Sequence, residues 1–225
     1  MNVLVTCATS LLGRSVVVRL VGRGDTVSVL QRHPSGLGVT EHLGDITDQQ
    51  VVASSMAGAE AVVHLAARVA VTGPWADFEA VNVHGTRNVV EAARAAAVRR
   101  FVQVSSPSVA YHGQSLIGSP AQPADPFRAR GHYARSKASA ELLALAADSP
   151  DMSVVAVRPH LVWGPGDTQL IGRIIDRARA GRLATVGSGA ALIDTTYIDN
   201  AADALVAALD RAPDIGGRAL VVTKG

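Results

Sequence analysis

Short apolar runs alternate with longer alanine-rich stretches of helical period along almost the whole chain. The apolar runs predict strands at Asn2–Thr6, Thr26–Leu30, Ala61–Leu65, Phe101–Val104, Val154–Arg158 and Ala219–Val222. The periodic stretches predict helices at Leu11–Gly22, Asp48–Met56, Phe78–Ala97, Arg135–Ala147 and Ile171–Ala180, with a further helix after Asp199. Because the runs lack polar alternation and helices separate them, they indicate a parallel sheet covered on both faces. The predicted fold class is therefore doubly wound α/β.

The length and the composition set the size of this fold. A chain of 225 residues can form one large domain with a substantial core, and it is marginal for two. Hydrophobic residues make up 48% of the sequence but aromatic residues only 4%, so alanine, valine and leucine must pack the core. We therefore expect a single domain over residues 1–225. One long irregular stretch, His112–Gly131, is of the kind that is usually functional or mobile.

The charge and the cysteine content exclude several kinds of function. The formal net charge of +2 is small, and the basic residues are interspersed with acidic ones, so nucleic-acid binding is not indicated. One cysteine excludes an internal disulfide, and no spacing of cysteine and histidine suggests a metal site. The N-terminus lacks the regions of a signal peptide, and no segment has about 18 uninterrupted apolar residues. A cytoplasmic protein without metal or membrane span is the expectation.

The stretch TCATSLLG, Thr6 to Gly13, has the layout of a phosphate-binding turn between a strand and a helix. Free N–H groups at a helix N-terminus suit a pyrophosphate, and Gly13 allows close packing of the helix on the strand. Two positions at which such a turn usually has glycine hold Cys7 and Ser10. A Cβ at Cys7 costs about 1–2 kcal/mol if φ is positive there, and Ser10 is expected to intrude toward the phosphate. The turn alone fits a working site, a weakened site or an ordinary helix start.

A tyrosine and a lysine, Tyr133 and Lys137, lie four residues apart and hence on one helical face. A lysine cation near a tyrosine hydroxyl lowers the pKa of the tyrosine, which can then exchange a proton with an alcohol or a ketone. Ser105 and Ser106 follow a predicted strand, at the carboxyl edge of the sheet where such folds bind ligands. Ser106 could hold a substrate oxygen there. The structural alternatives are an exposed helix face and a serine that caps the turn before Pro107.

Seven motifs occur in a characteristic order: TCATSLLG, GDITD, VVHLAA, NVHGT, VSSPSV, YARSK and VRPHLVWGPGD. Over nearly its whole length the chain resembles the extended short-chain dehydrogenase/reductases of the NAD-dependent epimerase/dehydratase superfamily. Within them it is most similar to the 3β-hydroxysteroid dehydrogenase branch, and the pairing of SSPSV with RPHLVWGPGD is most like that of bacterial 2-alkyl-3-oxoalkanoate reductases. The resemblance implies a Rossmann-like NAD(P)-binding domain. Relatives continue beyond ALVVTKG, so we expect a small or incomplete C-terminal substrate-binding part.

The resemblance also implies site residues. Ser106 would position the carbonyl of the substrate, Tyr133 would act as acid and base, and Lys137 would lower the pKa of Tyr133 and hold the nicotinamide ribose. The implied cofactor-binding residues are Thr6, Ala8, Ser10, Leu11, Leu12, Gly13, Gln31, Arg32, Asp45, Ile46, Leu65, Ala66, Ala67, Asn82, Ser105, Tyr133, Lys137, Pro159 and His160. No metal ligand is implied.

Several members of this set have an ordinary structural alternative. Asp45 and Ile46 would hold the adenine, and Asn82 would support the active-site helix, but loop packing and a polar helix position explain them equally well. His160 and Trp163 follow the sixth predicted strand, near the expected substrate side. Packing of the core or of a loop explains these two residues as well as substrate contact does.

The end of the second predicted strand bears on the choice of cofactor. NAD-preferring relatives carry there an acidic residue that binds the adenosine ribose, whereas this chain has Gln31 followed by Arg32. A neutral amide beside a guanidinium can accept a 2′-phosphate that a carboxylate would repel. We therefore expect NADP(H) rather than NAD(H). The alternative is that Arg32 points to solvent or stacks on the adenine.

Three functions are consistent with the sequence. The first is an NAD(P)-dependent oxidoreductase that interconverts a 3-keto and a 3-hydroxy group on a hydrophobic β-keto acid or sterol-like substrate. The second is a nucleotide-sugar epimerase or dehydratase of the same superfamily. The third is a non-catalytic dinucleotide-binding protein with a degenerate glycine turn. Relatives commonly form homodimers through helices equivalent to Phe78–Ala97 and Arg135–Ala147, so a homodimer is a further expectation.

Overall fold

Strands and helices alternate along the chain as the sequence pattern predicts. The computed structural model describes residues 1–113, 117–167, 171–185 and 187–223. Its strands are β1 (Asn2–Thr6), β2 (Thr26–Gln31), β3 (Thr40–Leu43), β4 (Ala61–His64), β5 (Arg100–Val104), β6 (Ser153–Pro159), β7 (Val162–Trp163), β8 (Thr196–Tyr197) and β9 (Ala219–Val222). Its α-helices are α1 (Leu11–Gly22), α2 (Gln49–Ser55), α3 (Trp75–Phe78), α4 (Thr86–Ala95), α5 (His132–Leu145), α6 (Ile171–Arg179) and α7 (Ile198–Ile215). A π-helix, Glu79–Gly85, joins α3 to α4.

Seven strands form one parallel sheet in the order β3-β2-β1-β4-β5-β6-β9. The chain moves outward from β1 to β3, returns to β4 beside β1, and then continues in the other direction. The strand order therefore reverses between β1 and β4, and folds of this kind bind ligands in the crevice outside the carboxyl ends of such strands. The predicted doubly wound α/β class is confirmed.

Each face of the sheet has its own apolar core. On one face, helices α1 and α7 bury Val17, Leu20, Leu205 and Leu209 against valines of β1, β2, β4, β5 and β6. On the other face, helices α2, α4 and α5 cover a cluster that contains Phe101 and leucines and valines of the strands. Burial on both faces explains why these strands are almost continuously apolar. The scarcity of aromatic residues is matched by a core of small aliphatic side chains.

The helix predicted at Phe78–Ala97 has a different course in the structure. It begins at Trp75, directly after Pro74, widens into the π-helix and then continues as α4. The chain turns out of the helix at Ala97, whose φ of 56° ends the helical path. A π-turn inserts an extra residue into the helical repeat, which a 3.6-residue pattern cannot reveal. This local widening carries Asn82, one of the predicted site residues.

Other boundaries also differ from the predictions. Helix α5 begins at His132 rather than Arg135, so Tyr133 lies in its first turn. Strand β3 was not predicted because it is a short, partly exposed edge strand with polar residues. Strands β7 and β8 were not predicted because each comprises only two residues. Residues 114–116 of the irregular stretch His112–Gly131 lie outside the described residues, and the described part of that stretch contains no helix or strand. No helix in the described ranges combines the length and the apolar character needed to cross a membrane.

Candidate active site

The turn between β1 and α1 accommodates Cys7 and Ser10 in different ways. Cys7 has a φ of 65°, in the left-handed region that favours glycine, so the predicted strain is confirmed. Ser10 has a φ of −75° and is the N-cap of α1. Its hydroxyl donates to the Cys7 carbonyl at 2.8 Å and accepts from the Gly13 N–H at 3.1 Å. The expectation that Ser10 intrudes toward a phosphate is wrong, because its hydroxyl is directed into the helix start.

The first turn of α1 fits a pyrophosphate group. A Cβ at Gly13 would lie 2.2 Å from the Cys7 carbonyl oxygen and 3.0 Å from the Cα of Ala8, so only glycine fits there. The N–H groups of Leu11 and Leu12 have no acceptor in the described part of the chain, and they lie at the positive end of the helix dipole. Free N–H donors beside the β1–β4 reversal are the donor set that a dinucleotide pyrophosphate requires.

Substitutions at Cys7 and at Ser10 should change the free energy of unfolding in opposite directions. We expect Cys7→Gly to raise the free energy of unfolding by up to about 1 kcal/mol, because glycine adopts a positive φ without a steric cost. Ser10→Ala should lower it by about 1 kcal/mol, since the N-cap hydrogen bond is lost. Urea unfolding of both variants measures these differences, and Ser10→Gly, which changes capping by only a few tenths of a kcal/mol, is the control. A gain in stability from Ser10→Ala would contradict this account of the turn.

Thr6 does not offer its side chain to a cofactor. Its hydroxyl oxygen accepts hydrogen bonds from the N–H groups of Leu65 and Ala66 at 3.0 and 2.9 Å, and it lies 2.9 Å from Nδ1 of His64. His64 is completely buried, and its Nε2 lies 3.1 Å from the hydroxyl of Thr86. Burial, together with the charge of Lys137, lowers the pKa of His64 to about 3, so the ring is neutral near pH 7. The side chain of Thr6 thus holds the loop after β4 in place.

The residues predicted around the adenosine lie at the ends of β2 and β3. Gln31 is buried, and its amide makes no hydrogen bond of normal geometry within the described residues. Arg32 is exposed beside it. Asp45 accepts hydrogen bonds from the N–H and the hydroxyl of Thr47, and Ile46 packs in the apolar core. The side chain of Ile46 therefore serves packing, and Arg32 is exposed to a ligand, whereas the buried Gln31 lies beside the carboxylate of Glu41.

Ser106 and Tyr133 come together at the carboxyl end of β5. Ser106 caps the 3₁₀ turn Pro107–Ala110, which agrees with the structural alternative, and its hydroxyl lies 2.9 Å from that of Ser108. The Ser106 side chain is also close enough to the Tyr133 hydroxyl to act on its pKa. Burial raises the pKa of Tyr133, and the nearby Ser106 side chain offsets part of that rise. The predicted lowering of the tyrosine pKa by Lys137 is therefore wrong in this arrangement, since desolvation outweighs the favourable contacts. Tyr133 is a neutral phenol near pH 7.

Lys137 lies one helical turn after Tyr133 and is buried. Its ammonium group donates to the carbonyl of Val104, the last residue of β5, at 2.7 Å. Burial lowers the pKa of Lys137 to about 8, and the carboxylate of Glu141 acts in the opposite direction. The hydrogen bond anchors the ammonium at the carboxyl edge of the sheet. Ser105 lies at the same edge, with its buried hydroxyl unpaired within the described chain.

Asn82 ties helix α5 to the segment after β4 by its side-chain hydrogen bonds. Its amide donates to the hydroxyl of Ser136 on α5 at 2.8 Å and to the carbonyl of Arg68 at 3.1 Å. Its oxygen accepts from the N–H of Arg68 at 2.7 Å, and Asn82 is 1% exposed. The same side chain therefore ties α5 to the segment after β4, and its polar atoms are not free to bind a cofactor.

A buried ion pair behind the site was missed by the sequence analysis. Arg158 of β6 donates to both carboxylate oxygens of Glu141 on α5, at 2.8 Å through Nε, and donates to the carbonyl of Gln122 at 2.6 Å. Both charged side chains are 1% exposed. Two features of the sequence could have indicated this ion pair: an arginine inside the apolar strand VVAVRP, and a glutamate four residues after Lys137. His64, which ends the apolar run AVVH, carried a similar signal.

The remaining predicted residues lie around the carboxyl edge of the sheet and differ in their burial. Leu65, Ala66 and Ala67 are half-buried after β4, and the side chain of Ala8 is in the core, so only its main chain can face a ligand. Pro159 and His160 are half-buried at the end of β6. Trp163 is partly exposed and packs edge-on against Tyr197, with ring centroids 5.3 Å apart. Packing therefore accounts for the position of Trp163.

Comparison with known proteins gives consistent similarities. The model of the NAD dependent epimerase/dehydratase family matches residues 3–222. The 2-alkyl-3-oxoalkanoate reductase of Stenotrophomonas maltophilia is 41% identical over 90% of this chain and 63% of its own length. A 3 beta-hydroxysteroid dehydrogenase/Delta 5-->4-isomerase of Mycobacterium tuberculosis is 33% identical over 88% of this chain and 57% of its own. The chain thus spans about three fifths of the length of these curated relatives.

Solved structures give the same fold. A short-chain dehydrogenase/reductase superfamily protein from Agrobacterium tumefaciens with bound NAD has a TM-score of 0.83 and 26% identity, covering 99% of this chain and 77% of that one. MoeE5 in complex with UDP-glucose and NAD has a TM-score of 0.83 and 29% identity, covering 100% and 77%.

Proposed function

This chain belongs to the NAD dependent epimerase/dehydratase family, and we propose that it is an NAD(P)-dependent oxidoreductase that interconverts a 3-keto and a 3-hydroxy group on a hydrophobic substrate. The observation that carries this proposal is the contact of Ser106 with Tyr133 at the carboxyl edge of the sheet, with Lys137 anchored one helical turn away. The pyrophosphate cradle at α1 and this group lie at the same edge of the sheet. That edge is where doubly wound folds bind ligands.

The site residues have separate roles in the proposed reaction. A bound nicotinamide dinucleotide would supply or accept the hydride. Ser106 and Tyr133 bind the oxygen of the substrate, and Tyr133 moves the proton between its hydroxyl and that oxygen. Because the Tyr133 pKa is raised, the phenol is protonated near pH 7 and suited to donate to a carbonyl. Lys137 places a positive charge beside the site, and Asn82 fixes the helix that carries Tyr133 and Lys137.

The substrate class rests on the more similar relatives. Proteins at 33–41% identity are named as a keto reductase and a hydroxysteroid dehydrogenase, whereas the nucleotide-sugar complex belongs to a structure at 29% identity. A β-keto acid or sterol-like substrate is therefore favoured over a nucleotide sugar. Homodimer formation, a single domain and a cytoplasmic location stay predictions.

A substrate panel tests this function. The protein is incubated with NADPH or NADH and with a 2-alkyl-3-oxo acid, a 3-ketosteroid or UDP-glucose, and nicotinamide oxidation or product formation is followed. Turnover of the keto acid or the ketosteroid supports the proposal. Conversion of UDP-glucose alone would favour the epimerase alternative, and dinucleotide binding without any turnover would favour the non-catalytic one.

We further propose that NADP(H) is preferred, because Gln31 and the exposed Arg32 stand where a carboxylate would select NAD(H). Arg14 adds a second guanidinium nearby, since it donates to the carbonyl of Ser35 in the loop after β2 at 2.8 Å. Arginine binds a phosphate through bidentate hydrogen bonds between opposite charges, which are stronger than its hydrogen bonds to a neutral ribose hydroxyl.

We expect Arg32→Ala to weaken NADPH binding about tenfold or more and to leave NADH binding nearly unchanged, since charge-assisted hydrogen bonds contribute about 1.5–3 kcal/mol. Calorimetric titration with both dinucleotides measures the two affinities. Arg94→Ala, which removes an exposed arginine from α4, is the matched control. Equal losses for the two cofactors, or tighter binding of NADH by the unmodified protein, would refute the preference.

A further inference from the structure

Two buried cations, Lys137 and Arg158, lie near the proposed site, and the carboxylate among the described buried residues is that of Glu141. Lys137 and Glu141 lie four residues apart on α5, hence on the same helical face, and both are buried. Both oxygens of Glu141 accept hydrogen bonds from Arg158. The ammonium of Lys137 is instead bonded to the carbonyl of Val104 at 2.7 Å. A neutral carbonyl alone does not balance a buried charge, so Lys137 depends on the negative charge one turn away.

The surroundings of Lys137 contain no other anion among the described residues. Tyr133 and His64 are neutral near pH 7, because burial raises the pKa of the first and lowers that of the second. Asn82 of the π-helix is bonded to Ser136, and Thr86 of α4 to His64, so neither of these buried side chains adds an anion. The titratable groups that interact electrostatically with Lys137 are Glu141 of α5 and His64 of β4. Tyr133 lies one turn earlier on α5, and Arg158 of β6 is connected to Lys137 through Glu141.

We propose that Glu141 is a positioning residue for Lys137, and that its carboxylate, held in place by Arg158, keeps the lysine cationic at the active-site edge. The catalytic role of Lys137 rests on the proposed function, whereas the electrostatic interaction between Glu141 and Lys137 does not depend on it. Arg158 fixes the carboxylate and also offsets part of its charge. Removal of Glu141 and removal of Arg158 should therefore change the charge state of Lys137 in opposite directions.

Opposite directions distinguish this role from a merely structural one. An ion pair that only fastens β6 to α5, without acting electrostatically on Lys137, would be lost with either substitution, and neither would move the titration of Lys137. Glu141→Gln leaves Lys137 beside Arg158 with no anion, which disfavours the ammonium. Arg158→Met leaves the full charge of Glu141 to Lys137, which favours it.

The lysine content makes a direct measurement possible. The sequence contains two lysines, Lys137 and Lys224, so a protein labelled with ¹³Cε-lysine gives two side-chain signals, and Lys224→Arg assigns them. We expect the Lys137 signal to titrate with a midpoint near pH 8. Glu141→Gln should lower the midpoint by about one pH unit, and Arg158→Met should raise it. Glu91→Gln, which removes an exposed carboxylate from α4, is the control.

Each outcome decides the matter without substrate or cofactor. An unchanged midpoint in Glu141→Gln, or shifts of the same sign in the two variants, would overturn the proposal. If Glu141→Gln does not fold, the direction of the shift in Arg158→Met still decides it. In the active enzyme, keto reduction that needs the Lys137 cation falls as the pH rises through its pKa, so Glu141→Gln should move that fall to lower pH. Midpoints that shift as expected in a protein without turnover would support the link and contradict the proposed function.

Discussion

Replacement of Tyr133 by phenylalanine is expected to lower the rate of keto reduction by about 10²–10⁴-fold, the usual contribution of a general acid. The substitution removes one hydroxyl, which lies near Ser106, and leaves the ring and α5 in place. Dinucleotide affinity and the free energy of unfolding should therefore change little. Stopped-flow single turnover at saturating cofactor measures the chemical step, and calorimetry measures binding.

Tyr111→Phe is the matched control for this loss. Tyr111 is 43% exposed at the end of the 3₁₀ turn after β5, so loss of its hydroxyl should leave turnover unchanged. Near-full activity of Tyr133→Phe would remove the assignment of Tyr133 as the proton donor. A parallel loss of folding stability would mean that the hydroxyl supports the structure rather than the chemistry.

Replacement of Gly13 by alanine is expected to be strongly destabilising. The new Cβ would lie 2.2 Å from the Cys7 carbonyl oxygen and 2.9 Å from the Ser10 hydroxyl, and the carbonyl belongs to a main chain already held at a positive φ. Because main-chain atoms cannot move aside, we expect a loss of about 3 kcal/mol or more in the free energy of unfolding. Dinucleotide affinity should fall about a hundredfold, since the first turn of α1 must shift.

Gly22→Ala in the same helix provides the comparison. A Cβ at Gly22 meets no atom within 4 Å, so alanine should stabilise the helix by about 0.5–1 kcal/mol. Urea unfolding of the two variants separates steric crowding from helix propensity. If Gly13→Ala were as stable as the unmodified protein and bound dinucleotide equally well, close helix–strand contact would not be the reason for glycine at this position.

Much of the site was predictable because it depends on local sequence. The strand-to-helix turn at Thr6–Gly13 and the four-residue spacing of Tyr133 and Lys137 follow from residues that are neighbours along the chain. Ser106 could be placed at the carboxyl edge because a parallel sheet brings the ends of all its strands to one side. The structure has Ser106 in contact with Tyr133, although they are 27 positions apart in the sequence.

The sequence by itself determined the doubly wound fold, because the period of apolar residues decides locally between strand and helix and the absence of polar alternation indicates burial on both faces. The sequence also identified side chains that could take part in binding or catalysis, such as Ser106, Tyr133 and Lys137. Only the tertiary structure decided which partner each polar side chain has. The Ser10 hydroxyl caps α1, and the Thr6 hydroxyl accepts from the loop after β4. Lys137 is buried on the same helix as Glu141, which Arg158 binds. Hydrogen-bond partners and burial depend on elements that are distant in sequence, and both set the pKa of a buried group. For that reason the lysine and the tyrosine could be located from the sequence, whereas their protonation could not.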